Sequence, residues 1–197
     1  MLHSAAAVIA PVVALVLAVG GRAAFAANAD AGHEKAQVCV ACHGPQGNST
    51  NPAVPSLAGQ PHQFIVTALF LFREGNRKDP QMTPIAANLS NADLNDLATY
   101  FSAQKSVPPK PMVDPERASA GKRLSEKYYC VQCHGPALLG QQHIPRLAGQ
   151  QAEYLRTQLR GFKSSTRFDM DGVMTSAAQP LSDADIEVLA EYLSGLR

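Results

Sequence analysis

The chain has no tryptophan, and only 6% of its 197 residues are aromatic. With so few rings, aromatic bulk cannot fill the interior, and something else must do so. Lys and Arg number 17 against 16 Asp and Glu, a net charge of +1, which excludes a nucleic-acid binder carried by bulk charge. Four cysteines are too few for a disulfide-dense scaffold. No segment sustains period-two alternation, so the fold class is read as mainly α. Beyond the N-terminal segment, no run is long and apolar enough to cross a bilayer. What is present is a hydrophobic fraction of 46%, ample for a core.

The segment 1–26 reads as a secretory leader. An apolar run from Ala5 to Val19 precedes Gly20, Gly21 and Arg22, and the small-x-small pattern of Ala24-Phe25-Ala26 suits signal peptidase. The n-region has no Lys or Arg, and retention as an anchor is the alternative. Loss of the leader removes Arg22 and no acid, leaving 16 basic and 16 acidic residues. Bulk charge then gives little long-range steering.

The remainder is written twice. Cys39-Val-Ala-Cys42-His43-Gly44-Pro45 recurs as Cys130-Val-Gln-Cys133-His134-Gly135-Pro136, and Pro55-Ser-Leu-Ala-Gly-Gln60 recurs as Pro145-Arg-Leu-Ala-Gly-Gln150. Met82 stands eight residues before Ser90, as Met174 does before Ser182. Four prolines between Ser106 and Pro115 predict a semi-rigid linker. The expected organisation is therefore a leader (1–26), an N-terminal domain (27–105), a linker (106–115) and a C-terminal domain (116–197). Each domain is small enough to need help beyond its own core.

Within each half, apolar residues fall at helical spacing: Ile65, Leu69 and Phe72, then Leu155, Leu159 and Phe162. Ser90 with Asp93, and Ser182 with Asp185, predict capped final helices whose inner faces carry Leu94, Leu97 and Phe101, and Ile186, Leu189 and Leu193.

Cys-x-x-Cys-His is the attachment signature of c-type haem. Two thiols three residues apart lie on one side of a helical turn and can add to two vinyl groups. The following histidine is then directed at the iron. Cys39, Cys42, Cys130 and Cys133 are thus the cofactor-binding residues, and His43 and His134 are iron ligands. A zinc ribbon is disfavoured because the two pairs lie far apart, and a thioredoxin-like pair lacks its βαβ context. Structural disulfides give no reason for a repeated histidine. For the sixth iron position, Met82 and Met174 are candidates, since a thioether stabilises ferrous iron. Met170, one helical turn before Met174, is an alternative in the second half. Met112 lies in the linker, and His33, His62 and His143 have no counterpart in the other half.

With both motifs, both Pro-x-Leu-Ala-Gly-Gln segments and a methionine before Leu-Ser-x-x-Asp in each half, the chain resembles the dihaem cytochromes c of the cytochrome c4 family. That resemblance implies a tandem duplication of the class I cytochrome c fold, packed about a pseudo-twofold, with one covalent haem c per domain. It implies His43 and Met82 on one iron, and His134 and Met174 on the other. Pro55 and Pro145 match the proline whose carbonyl orients the ligand imidazole in such folds.

The expected function is periplasmic electron transfer, from a respiratory quinol-oxidising complex to a terminal oxidase, without catalysis of its own. Redox proteins are the expected partners, with no nucleic acid and no small-molecule substrate, and with peripheral membrane association left open. One alternative is the electron-accepting subunit of a periplasmic dehydrogenase. Another is a dihaem enzyme with one open iron site, which a methionine in each half argues against.

Overall fold

The computed structural model describes residues 28–109 and 113–197. The expected leader and linker residues Lys110, Pro111 and Met112 lie outside the described residues. Among the described residues the first half runs α1 (Ala29–Lys35), α2 (Gln37–His43), a 3-10 turn (Pro45–Gly47), α3 (His62–Arg73), α4 (Met82–Ala86) and α5 (Asn91–Ser102). The second runs α6 (Pro115–Lys127), α7 (Cys130–His134), α8 (Ala152–Lys163), α9 (Val173–Ala178) and α10 (Asp183–Gly195). An isolated bridge between Gln141 and Ile144 is the β pairing found among them. No helix of the described residues is long and apolar enough to cross a membrane.

The final helices start where the serines predict. Each serine hydroxyl accepts from the backbone N–H three residues on, and the aspartate there accepts from the serine N–H. Two otherwise orphaned donors are satisfied at each start. The apolar stripes close inward. Ile65, Leu97 and Phe101 form one core with Ala36, Ala98 and Tyr100. In the second half Leu155 and Leu193 pack with Leu138 and Ala148, while Phe162, Ile186 and Leu189 pack with Ala178 and Leu181.

Each half is closed by a crossing of its first and last helices, and glycine makes both crossings. A Cβ on Gly32 of α1 would overlap the Asp96 carbonyl oxygen of α5 and come 2.8 Å from Tyr100 Cβ. A Cβ on Gly121 of α6 would overlap Tyr192 Cβ of α10. Pro115, expected as the end of the linker, is instead the first residue of α6, where a missing N–H costs nothing. The linker is tied at its start: the Val107 N–H donates to the Asn48 side chain at 2.7 Å, and Asn48 donates to the Lys105 carbonyl at 3.1 Å.

The two halves meet along the repeated loops that hold the Pro-x-Leu-Ala-Gly-Gln segments. Tyr154 N–H of α8 donates to the Pro52 carbonyl at 3.1 Å, and the Gln151 side chain donates to the Ser49 carbonyl at 2.5 Å.

Candidate haem-binding site

The short helices α2 and α7 carry the two Cys-x-x-Cys-His segments. One turn of helix places the paired thiols on a common side. Cys39 and Cys130 are half-buried, Cys42 and Cys133 are exposed, and none of the four is in a disulfide. Burial pushes the Cys39 and Cys130 thiols up from their ordinary value.

Each motif histidine is the last residue of its helix, and each is buried, with 6% exposure for His43 and 3% for His134. His43 Nδ1 lies 2.8 Å from the Pro55 carbonyl oxygen, and His134 Nδ1 lies 2.8 Å from that of Pro145. A carbonyl only accepts, so Nδ1 carries the proton and Nε2 is left with its lone pair. Burial drives both imidazoles below their ordinary pKa, against the opposing effect of the proline carbonyls. The result is a neutral ring with an oriented, unprotonated Nε2, the form that coordinates a metal.

Met82 opens α4, and Met174 is the second residue of α9. Met174 packs against the core formed by Phe162, Ala178 and Leu181. Both methionine amides are held by an upstream aspartate that sequence reasoning missed. Asp79 Oδ1 accepts from Met82 N–H at 2.9 Å, and Asp169 Oδ2 accepts from Met174 N–H at 2.8 Å. Burial alone would raise the Asp169 carboxyl, but the Met174 N–H, the Asp171 side chain and the Thr175 N–H and hydroxyl together outweigh it and leave it below the ordinary value. The available signal was an Asp shortly before each methionine, hidden by unequal spacing of three and five residues. Met170 is 66% exposed and borders a surface pocket with Gln63, Val66 and Phe70 of the first half, well apart from the Met174 core in character. His33 and His143 lie at the surface. His33 lies against Tyr100 at 5.3 Å between ring centroids, and His143 is 3.9 Å from Asp171. His62 is the first residue of α3.

A second group of residues gathers at the seam between halves. Arg77 lies over the Phe72 ring at 4.4 Å, and Arg167 lies over Phe162 at 4.3 Å, in corresponding positions of the repeat. Arg77 donates to the Tyr154 hydroxyl and to Gln158 Oε1, both at 3.1 Å, and Arg167 also donates to Gln158. Burial and the neighbouring Arg77 cation push the Arg167 guanidinium down to about 10, with Tyr154 opposing. Among the described residues, Arg167 Nε is buried without a hydrogen-bond partner. Two cations this close, one with an orphaned N–H, suit an anionic group.

The cytochrome c sequence profile matches twice, over residues 21–105 and 118–197. Cytochrome c4 of Thiocapsa roseopersicina is 42% identical over 178 residues, covering 84% of this chain and 91% of that protein. The chain belongs to the cytochrome c4 family. The crystal structure of reduced cytochrome c4 from Pseudomonas stutzeri superposes with a TM-score of 0.81 at 35% identity, covering 87% of this chain and all of that one. A protein of Thiomonas intermedia named thiosulfate dehydrogenase electron acceptor is 37% identical over 172 residues, covering 81% of this chain and 79% of it. As a cytochrome c4, the molecule is a mainly α tandem of two cytochrome c domains carrying two covalently bound haem c groups. It is a dihaem electron-transfer protein.

Proposed function

We propose that this cytochrome c4 is a periplasmic carrier that takes electrons from a respiratory quinol-oxidising complex and passes them to a terminal oxidase. His43 and Met82 would ligate one iron, and His134 and Met174 the other. Cys39, Cys42, Cys130 and Cys133 would form the thioether links, within domains spanning 27–105 and 116–197. The observation that carries this reading is the duplication of one ligand geometry. In each half a buried imidazole donates Nδ1–H to a proline carbonyl at 2.8 Å. In each half a methionine amide is fixed by an aspartate, at 2.9 and 2.8 Å. A chain with one catalytic and one carrier iron has no reason to keep both sites alike.

The residues present fit a bound haem. It supplies one-electron cycling between ferric and ferrous iron. This chain's own part is positional. Pro55 and Pro145 hold the Nδ1 protons and thereby aim each Nε2 at a fixed point. Burial of both imidazoles excludes water and keeps them neutral. Arg77, Arg167 and Tyr154 would hold the carboxylates of a haem, in keeping with the buried Arg167 Nε that has no partner among the described residues. Met174 is favoured over Met170 because Met174 joins the second core whereas Met170 is exposed. Export is supported by the Ala24-Phe25-Ala26 pattern at the end of the leader.

The test is visible absorption of the ferric holoprotein, with haem content from a pyridine haemochrome assay. Two haems per chain and two sulfur-to-iron charge-transfer signals are expected. Met82→Ala and Met174→Ala should each remove one signal, and Met170→Ala neither. A high-spin component in the unmodified protein would overturn the saturated-carrier reading. A second reading, the electron-accepting subunit of a periplasmic dehydrogenase, is favoured by the Thiomonas relative, whose name assigns it that role. Stable co-purification with a dehydrogenase would decide for it.

A further inference from the structure

The glutamines that end the two Pro-x-Leu-Ala-Gly-Gln segments cross the seam. Gln150, in the second half, accepts from Ser56 N–H at 2.8 Å and donates to the Ser56 carbonyl at 2.9 Å. Gln60, in the first half, accepts from Arg146 N–H at 3.0 Å and donates to the Arg146 carbonyl at 3.0 Å. Both side chains are buried, with 4% exposure for Gln60 and 5% for Gln150. A buried amide gripping one residue by both its N–H and its C=O has only one satisfying orientation. The exchange is reciprocal, as a two-fold relation requires.

The gripped residues are those next to the histidine acceptors. Ser56 N–H belongs to the same planar peptide unit as the Pro55 carbonyl, and Arg146 N–H to the same unit as the Pro145 carbonyl. One chain therefore runs from His43 Nδ1–H to the Pro55 carbonyl, through that peptide to Ser56 N–H, and on to Gln150 Oε1. Its mate runs from His134 through the Pro145–Arg146 peptide to Gln60. Linked hydrogen bonds polarise one another, so an acceptor on the N–H side makes the carbonyl a better acceptor for the imidazole. A stronger bond at Nδ1 makes the ring a more electron-rich ligand and favours ferric iron.

We infer that Gln60 and Gln150 are positioning residues that each tune the iron of the opposite half. Redox behaviour in one domain is thereby coupled to docking of the other. This rests on the axial ligation by His43 and His134 proposed above.

The experiment is a redox titration of the full-length holoprotein followed by paramagnetic proton NMR, with the His43 and His134 ring protons resolved. Gln150→Met removes both bonds to Ser56 at similar length, together with the bond that Gln150 Oε1 accepts from Gln151 N–H. It should raise the ferrous-to-ferric ratio of the His43 haem about two- to fivefold at fixed solution potential and speed exchange of the His43 Nδ1 proton. The His134 haem should stay within experimental error. Gln60→Met should do the reverse. Gln150→Glu keeps an acceptor oxygen toward Ser56 and should restore or lower the ratio. Equal shifts at both haems would mean mere loosening of the seam and would overturn the inference. So would a shift confined to the substituted half, or none. If the unmodified protein shows no hyperfine-shifted His and Met signals, the ligation reading itself fails and this coupling with it. If those signals are present without a crossed shift, only the coupling fails.

Discussion

Where the first half sets Gly47 against Phe101, the second sets Leu138 against Leu193. Gly47 has φ +78° and Leu138 has φ +56°, so both turns are left-handed although only one carries glycine. The reason lies in the shared hydrogen bonds. Gly47 O accepts from Leu57 and Ala58, at 2.7 and 3.1 Å, and Leu138 O accepts from Leu147 and Ala148, at 2.8 and 3.0 Å. A Cβ on Gly47 would stand 2.8 Å from Phe101 Cδ1. The bulk is therefore supplied from the final helix in one half and from the turn in the other, where Leu138 is 1% exposed. Packing volume is conserved while its source moves, and burial of a leucine outweighs about 1 kcal/mol of left-handed strain.

The largest expected effect tests the feature the halves share without compensation. Gly32→Val and Gly121→Val should each cost about 3 kcal/mol or more, because the overlap at the helix crossing is with backbone or Cβ atoms that cannot rotate away. Thermal unfolding of each holoprotein, followed by helical circular dichroism, reads the loss. Tolerance at one glycine and not the other would show that the crossings are not equivalent. Next in size is the exchange of packing partners. Gly47→Leu alone should cost about 3 kcal/mol, and adding Phe101→Leu should recover about 1 kcal/mol or more by copying the second half. Additive losses in urea titrations would refute that the pair is a unit.

Much of this was legible in the sequence because the repeat reports on itself. Helix starts at Ser90 and Ser182 and the apolar stripes follow from local chemistry, and local chemistry is written in consecutive residues. The crossing glycines were not legible. Gly32 stands seven residues before Cys39 and Gly121 nine before Cys130, so they fall out of register, and close approach is a property of two distant helices. Asp79 and Asp169 were hidden by their unequal distance from the methionines they hold. The bonds of Gln60 to Arg146 and of Gln150 to Ser56 across the seam were invisible although both glutamines end the repeated motif, since no spacing within a chain says that two like loops face each other.

A smaller effect comes from α8, whose Tyr154 and Gln158 stand ninety residues after Phe64 and Ala68 of α3. Tyr154→Phe makes the second half more like the first and removes the acceptor of one Arg77 bond. The expected loss is about 1 to 2 kcal/mol in urea titration, since the Gln158 contact remains. An unchanged midpoint would remove the hydroxyl from the seam's energetics.

The smallest effect separates the halves by pH. When the crossing glycines are aligned, Lys35 of the first half answers to Leu124 of the second. Lys35 Nζ meets Asp93 at 2.8 Å and Asp96 at 2.6 Å. Its ammonium, with the Ser90 hydroxyl and N–H, holds the Asp93 carboxyl down to about 2 against an ordinary 3.8. A carboxyl depressed in the folded state binds protons more tightly when unfolded. Its contribution is therefore full above the unfolded value and is lost as pH falls from about 4 to about 2. Lys35→Leu should flatten the stability profile of the holoprotein in that window. The loss at neutral pH should be the smallest of the set, because solvent reaches Lys35 and Asp93 and screens the pair, and it should shrink further in high salt. A profile with undiminished slope between pH 4 and 2 would mean that the Ser90 cap alone sets the Asp93 carboxyl. The two halves would then resist acid in the same way, since Asp185 is held down first by Ser182.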